Sequence, residues 1–537
     1  MPHHPTRSAP PPCLIHTHLP TYTPSSPYSI ACPYRPFEDI EMVQPCSRPR
    51  PTSKLETLVL SIVSATLGEE HTIRPEDKSI MGKDLHIYSI LGKTLPFPSQ
   101  HSKFWWTKLG RPFASMLETS NYSLQAQCRF LCFFYWSVMK LLPPIVDNGE
   151  VDTTSLMTVD GGPVELSWVM PNALAPLDPK PHETSALNAR RHRQVRFAIE
   201  PMNSVTGRRL RGDVVLDYLS SPQGSLGMIP TAKDDMEWRK KTESFLFPDD
   251  EGGDDLQTGS RFFVGFDFAA NGTVSLKAYY LPGPSPPAHL PLINDQTRPV
   301  YMWDTNYEPL RRLVFNLNPG LMEPLELLLS YFESLDDDHR PRIQILAMDC
   351  VKSSENRLKI YCRPKRGAAW SDAVRELTLG GRIQTPEVNK SISHLRRLWD
   401  SLFPQATSTM DCDLRPSALA ETRDGNGIKL NQAEHPVDGL LYYYSLFAGE
   451  KDVFPKIYLP VTQYCSNDLA IARAIEHFYS KTQATKEKGW NVGDVSRIMN
   501  HRPLSEGTGI HTYVTFGLKK KGFEVTNYFS PEVYRRT

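Results

Sequence analysis

Apolar and polar residues follow two different periods along this chain, and the period changes near Pro163. Before that point the spacing is helical. Ser53 and Glu56 form a capping box ahead of apolar residues at helical spacing, which end at Gly68, and a second helical zone covers residues 104–142. Beyond Pro163, short runs of alternating apolar and polar residues predict β-strands.

These runs come in pairs with helices between them. The predicted strands cover residues 164–168, 194–201, 261–268, 273–281, 343–350, 357–362, 439–447, 456–461, 511–518 and 524–529. The helices predicted among them cover residues 320–335, 392–403 and 467–479. A helix followed by two antiparallel strands recurs about five times, which is typical of one large sheet with helices outside it. We therefore predict an α+β fold in which about ten antiparallel strands close into a barrel around a solvent-containing lumen.

Composition separates residues 1–52 from the rest of the chain. Pro, Ser, Thr and His are frequent in this stretch, which cannot bury enough apolar surface to offset the entropy lost on ordering. We therefore predict a disordered Pro-rich tail at residues 1–52 and a single barrel domain at residues 53–537.

Charge and cysteine content narrow the possible partners and compartment. The chain has 60 basic and 60 acidic residues, so no global excess of charge indicates nucleic acid or an anionic membrane as a partner. The apolar run at residues 130–139 is too short to span a bilayer. Nine scattered cysteines without a CxxC pair favour the reducing cytoplasm.

A Lys-x-Tyr spacing recurs on three predicted strands. The pairs are Lys277 and Tyr279, Lys359 and Tyr361, and Lys456 and Tyr458. Arg357 precedes Lys359 by two residues, and side chains two apart on a strand face the same side. A polar strand face usually contacts water, but three strands with the same pair indicate the lining of a shared cavity.

Six segments resemble, in order, the fungal indole prenyltransferases of the dimethylallyltryptophan synthase family. They are Val164–Trp168, Val195–Pro201, Lys277–Pro282, Ser354–Tyr361, Pro455–Tyr464 and Val525–Phe529. The likeness extends from about residue 104 to the end of the chain, and as an ordered set it is specific. It implies the αββα prenyltransferase barrel. It also implies transfer of a dimethylallyl group from dimethylallyl diphosphate to an aromatic acceptor, without a metal or another cofactor.

The same resemblance implies a role for each polar residue of the predicted cavity. Cations would stabilise the departing diphosphate in place of magnesium, and these are Arg196, Lys277, Arg357, Lys359 and Lys456. Tyrosines would shield the allylic cation from water and bond the diphosphate, and these are Tyr279, Tyr361, Tyr458 and Tyr528. Glu165 would be the catalytic carboxylate that accepts the indole N–H or another acidic proton of the acceptor.

Two positions depart from the family pattern. Many relatives have a lysine, considered a proton acceptor, in a Phe-Asp-Leu-Lys segment where this chain has Ala269, and some have glutamine in place of Lys456. We expect dimethylallyl transfer to an aromatic carbon of an indole-containing acceptor in fungal secondary metabolism, such as indole alkaloid or diterpenoid biosynthesis. A phenolic or xanthone-type polyketide is the alternative acceptor.

Two functions of other classes compete with this one. A metal-dependent isoprenoid synthase would need spaced aspartates on a helix, but glycines interrupt residues 250–254 and Arg340 stands where an acid would follow residues 336–338. A ligand-binding barrel without activity would not need five lumen cations. We expect a cytoplasmic monomer or homodimer that binds dimethylallyl diphosphate and a small aromatic molecule, with no nucleic acid or membrane partner.

Overall fold

The computed structural model describes most of the chain beyond residue 85. The described ranges are 86–145, 155–170, 193–230, 236–247, 261–281, 306–337, 339–364, 367–414, 439–480, 489–520 and 522–534. The predicted tail, the predicted helix at residues 53–68 and the acidic stretch at residues 250–254 lie outside these ranges. The domain boundary at residue 52 therefore stays a prediction.

Ten antiparallel strands in these ranges close into a barrel. They are β1 (Val164–Val169), β2 (Gln194–Ile199), β3 (Phe262–Phe268), β4 (Val274–Tyr280), β5 (Pro341–Asp349), β6 (Arg357–Pro364), β7 (Leu441–Phe447), β8 (Phe454–Leu459), β9 (His511–Leu518) and β10 (Phe523–Phe529). Each strand pairs with its neighbour in the chain, and β10 pairs with β1, so the closed sheet has no free edge. The predicted α+β barrel is confirmed, and each predicted strand corresponds to one of these ten.

Helices connect the strand pairs and cover the outside of the sheet. They are α1 (His86–Thr94), α2 (Gln100–Trp105), α3 (Arg111–Thr119), α4 (Leu124–Phe133), α5 (Gly212–Ser220), α6 (Pro222–Ser225), α7 (Glu237–Leu246), α8 (Glu308–Leu317), α9 (Met322–Glu333), α10 (Trp370–Thr378), α11 (Pro386–Leu402), α12 (Val461–Tyr464), α13 (Asp468–Ser480) and α14 (Trp490–Ile498). Two π-helical turns, Trp106–Gly110 and Phe134–Val138, interrupt the predicted helical zone at residues 104–142. Within the described ranges, no helix combines the length and the apolar character that crossing a bilayer requires.

The helices predicted at residues 320–335, 392–403 and 467–479 correspond to α9, α11 and α13. Several short helices were not predicted, among them α5, α7, α8, α10 and α14. Each has only nine or ten residues, fewer than the roughly 11–18 residues over which helical periodicity can be recognised in a sequence.

The hydrophobic core lies between the helices and the outer face of the barrel. Phe113 of α3 and Phe130 of α4 pack their rings on Phe268 of β3, with centroids 4.8 and 4.9 Å apart. Phe197 and Phe266 join them from β2 and β3. Fully burying one phenylalanine side chain stabilises the fold by roughly 1.5–3 kcal/mol. The outer face therefore contributes much of the stability, and the opposite face of each strand can carry polar residues.

Candidate active site

The direction of the strands arranges the lysines and tyrosines of the Lys-x-Tyr pairs in two layers inside the barrel. Neighbouring strands are antiparallel, so β4, β6 and β8 all run the same way. A lysine that precedes a tyrosine by two residues is therefore nearer the same end of the lumen on all three strands. The structure brings all the predicted site residues to the lumen face, with the cations at one end and the tyrosines in the next layer.

The three lysines of the cation layer are almost completely buried. The exposed fractions are 7% for Lys277, 3% for Lys359 and 2% for Lys456. Burial and the nearby Arg357 lower the pKa of Lys359 to about 7, although Asp349 opposes this shift. Burial likewise lowers the pKa of Lys277 and of Lys456. Desolvated ammonium groups of this kind bind a dense anion strongly, since water no longer competes for their N–H donors.

Carboxylates that the sequence analysis did not select hold these cations in place. Asp349 accepts hydrogen bonds from Lys359 at 2.6 Å and from Arg357 at 2.8 Å. Asp267 forms ion pairs with Arg196, at 3.0 Å, and with Lys277.

Glu524 completes the set on β10. It contacts Lys456 and Lys519 at 3.1 Å each, and Lys456 also donates to the hydroxyl of Thr526 at 3.0 Å. Lys519, which follows β9, is a further cation at this end of the lumen that the sequence analysis missed. Its signal was available, because Lys519 follows Leu518 at the end of β9, in the turn ahead of Glu524 on β10.

Four predicted tyrosines form a continuous aromatic wall. Ring centroids are 6.1 Å apart for Tyr279 and Tyr361, 6.0 Å for Tyr361 and Tyr458, and 5.4 Å for Tyr458 and Tyr528. Their hydroxyls also meet, with 3.2 Å between Tyr458 and Tyr528. Burial raises the pKa of Tyr458 and of Tyr528 well above its usual value, so both phenols stay neutral and can donate hydrogen bonds.

Two further tyrosines extend this wall and were not predicted. The ring of Tyr443 on β7 lies 5.1 Å from that of Tyr361, and the ring of Tyr513 on β9 lies 5.6 Å from that of Tyr458. Neither is in a Lys-x-Tyr pair or in one of the six segments that resemble the family, so the signals that selected the other four could not reveal them. The six rings together can enclose an allylic cation on several sides.

Glu165 lies on β1, near Tyr528 of the tyrosine wall. Ser167, two residues along the same face of β1, is the residue that pairs with Tyr528. Burial raises the pKa of Glu165 to about 8, and a hydrogen bond of 2.6 Å from Thr512 opposes the shift. A carboxyl group with this pKa can accept a proton or a hydrogen bond near neutral pH.

Small residues adjoin Glu165 across the sheet. Its partner on β2 is Ala198, and the partner of Ala198 on β3 is Gly265. A Cβ at Gly265 would lie 3.0 Å from the Tyr279 ring, so the absent side chain lets that ring approach the backbone closely. Ala269 lies further along, in the β3–β4 turn, where its N–H bonds the carbonyl of Thr273. The row that starts at Glu165 therefore continues through Ala198 and Gly265 to Lys277 on β4, and the Tyr279 ring occupies the space that Gly265 leaves.

The competing acidic cluster at residues 336–338 is a surface feature where it is described. Asp336 contacts His339 at 2.8 Å, and Asp337 contacts Arg340 at 2.9 Å, with both aspartates well exposed. These contacts are those of a solvated helix end.

The chain is similar to several known proteins. The family model described as tryptophan dimethylallyltransferase matches residues 101–490. The 4-O-dimethylallyl-L-tyrosine synthase of Claviceps purpurea is 28% identical over 445 residues, which cover 80% of this chain and 88% of that protein. The 7-dimethylallyltryptophan synthase of Aspergillus fumigatus is 23% identical and covers 83% of this chain and 89% of its own length.

The structure is similar to solved prenyltransferase structures. The crystal structure of NotF in complex with brevianamide F and DMSPP superimposes with a TM-score of 0.60 at 20% identity, covering 83% of this chain and 98% of that one. At this identity the likeness concerns the fold, and it matches the closed ten-stranded barrel with helices outside.

Proposed function

The chain belongs to the tryptophan dimethylallyltransferase family of metal-independent aromatic prenyltransferases, and we propose that its acceptor contains an indole that is prenylated at a ring carbon. Dimethylallyl transfer to an aromatic acceptor follows from the family. The indole, the carbon attacked and the residue roles below are the proposal. A cytoplasmic location is part of it, because nine scattered cysteines without a CxxC pair favour a reducing compartment.

The donor half of the reaction uses the cation layer. The bond between C1 of the dimethylallyl group and its ester oxygen breaks, and both electrons stay on the diphosphate. Lys277, Lys359 and Lys456, with Arg196 and Arg357, stabilise that developing charge through charge-assisted hydrogen bonds. Their burial and their common end of the lumen support this role.

The tyrosine wall protects the other product of this ionisation. An allylic cation reacts with water unless water is excluded, and aromatic ring faces attract a cation. Tyr279, Tyr361, Tyr458 and Tyr528 lie in the layer next to the cations, where the dimethylallyl group of a bound donor would be. Their neutral hydroxyls can bond diphosphate oxygens at the same time.

The observation that carries the acceptor assignment is the position of Glu165. It is a half-buried carboxyl group with a raised pKa, near Tyr528 of the tyrosine wall and beside the small residue Ala198 on β2. It can accept the N–H of an indole, which makes the ring more electron-rich as its carbon attacks the cation. Because Ala269 cannot take the proton released from the attacked carbon, we assign that proton to the departed diphosphate, which is a base once the C–O bond has broken.

A phenolic acceptor, such as tyrosine or a xanthone-type polyketide, is the second candidate. It is favoured by the 28% identity to a tyrosine O-prenylating relative. Glu165 would then accept the phenol O–H, and the new bond would form at oxygen or at a ring carbon activated by that oxygen.

The test is incubation of the purified protein with dimethylallyl diphosphate and a panel of acceptors, with EDTA in a parallel arm. The panel contains L-tryptophan, a tryptophan-containing cyclic dipeptide, L-tyrosine and a hydroxyxanthone. We expect a product with one added dimethylallyl group from an indole, unchanged by EDTA, and NMR to place the group on carbon. Product from phenols alone would replace the indole assignment by the second candidate.

A further inference from the structure

Three carboxylates in the lumen share one arrangement. Each contacts two cations: Asp267 contacts Arg196 and Lys277, Asp349 contacts Arg357 and Lys359, and Glu524 contacts Lys456 and Lys519. They come from β3, β5 and β10, so the repetition does not follow from one local motif. Their side chains are 14%, 19% and 20% exposed, so each carboxylate is partly accessible from the lumen.

The charges of this group do not cancel. Six cations and three carboxylates leave a net charge of three positive units, one for each carboxylate with its two cations. An allylic diphosphate ester carries about three negative charges at neutral pH, two on the terminal phosphate and one on the inner one. The charge of this group of nine residues and the charge of the donor therefore match.

We propose that Asp267, Asp349 and Glu524 are positioning residues of the donor site, which keep its lysines protonated and limit its net charge to that of a diphosphate ester. This inference rests on the proposed role of the cation layer and adds the carboxylates to it. None of the three would touch the reacting carbon atoms. They act through the cations, which they fix in place and whose protons they retain.

Lys359 shows why such help is needed. The charged and titratable groups around it are Asp349 and Cys350 on and after β5, Arg357 on its own strand and Lys277 on β4. On β7 its ladder neighbour is the uncharged Ser445. Burial, Arg357 and Lys277 all favour loss of its proton, and Asp349 is the group that opposes them. Without Asp349, Lys359 would be neutral over a wider range of pH.

The test measures binding of inorganic diphosphate to the intact protein by calorimetry in EDTA, at pH 6.5, 7.5 and 8.5. The variants are Asp349→Asn and Glu524→Gln. The control is Asp336→Asn, which removes an exposed carboxylate that contacts His339 rather than these cations. Thermal unfolding checks that each variant is folded. If the Asp349→Asn variant does not fold, the binding data of the Glu524→Gln variant decide whether the inference holds. Repeating one titration in two buffers of different ionisation enthalpy gives the number of protons taken up.

For both lumen variants we expect diphosphate affinity to be about tenfold below that of the wild type at pH 8.5, which corresponds to a fall of one pKa unit in the lysine, and to be less reduced at pH 6.5. Additional proton uptake on binding should accompany it. An equal loss of affinity at all three pH values, or no change, would overturn the inference. If the wild-type protein itself does not bind diphosphate, the donor site of the proposed function is wrong, and the inference fails with it.

Discussion

Thr512 donates a hydrogen bond of 2.6 Å from its hydroxyl to Oε1 of Glu165. A β-bulge makes this contact possible. Asn527 pairs with Val514 but Phe529 pairs with His511, so β9 has one residue more than β10 over this stretch. An extra residue lets neighbouring side chains depart from strict alternation, and bulges often re-aim side chains beside active sites. Thr512 can therefore reach the lumen carboxylate although it is next to the lumen residue Tyr513.

Replacing Thr512 by valine should move the pH dependence of the reaction. The hydroxyl stabilises the ionised carboxylate, so its loss should raise the pKa of Glu165 further above about 8. The acidic limb of the kcat/KM profile for the acceptor should then shift to higher pH, and the rate at pH 7.5 should fall several-fold. Thr242→Val is the matched control, since Thr242 is a buried threonine of α7 that contacts Met348 instead. Identical profiles for Thr512→Val and wild type would argue against this role.

Glu165→Gln should lower turnover and leave donor binding intact. The amide keeps the size of the side chain but cannot accept a proton, and a positioned acid or base commonly contributes roughly 10²–10⁴-fold to the rate. The acidic limb of the pH–rate profile should disappear with the carboxyl group. Calorimetry with a thiolodiphosphate analogue of the donor measures donor affinity, which should be the same as in the wild type. A comparable loss of donor affinity would place Glu165 in the donor site instead.

Lys359→Ala should disable activation of the diphosphate. The variant removes the ammonium group of a residue that is 3% exposed, and it leaves Asp349 with Arg357 and the more distant Lys277. Loss of one group that stabilises developing charge typically lowers kcat by about 10²–10³-fold. Single-turnover measurement of dimethylallyl transfer gives the chemical step directly. Lys451→Ala, at an exposed lysine, should match the wild type, and a Lys359→Ala enzyme with an unchanged single-turnover rate would contradict the assignment.

The strands and the cation layer could be predicted from the sequence because both depend on local spacing. Alternation identifies β6, and the pair Lys359 and Tyr361 identifies its lumen face without knowledge of any other strand. The carboxylates could not be found in this way. Asp349 belongs to the site because β5 pairs with β6, and that pairing is a property of the whole barrel.

Thr512 was beyond prediction for a related reason. Strict alternation puts Tyr513 in the lumen with Thr515, and it puts Thr512 on the other face. The bulge in β9 overrides that pattern, and nothing in the amino-acid sequence of β9 indicates where the bulge lies. Short helices such as α10 were missed because nine or ten residues are too few for helical periodicity to stand out in the sequence.

A substitution in the tyrosine wall should change what the allylic cation reacts with, but not whether the cation forms. Tyr458 is central, since its ring lies within 6.1 Å of those of Tyr361, Tyr443 and Tyr528. Tyr458→Ala should open the wall to water while leaving the diphosphate cations in place. The donor should still ionise, but more of it should end as dimethylallyl alcohol, so the ratio of hydrolysis to transfer should rise at least several-fold.

Tyr458→Phe separates shielding from hydrogen bonding in the same measurement. Phenylalanine keeps the ring face that attracts a cation and loses the hydroxyl, which lies 3.2 Å from that of Tyr528. Its ratio of alcohol to prenylated product, measured by mass spectrometry with labelled donor, should stay near the wild-type value, while its donor affinity should weaken modestly. If Tyr458→Phe and Tyr458→Ala release the same share of alcohol, the hydroxyl rather than the ring protects the cation, and the shielding role assigned to the wall is wrong.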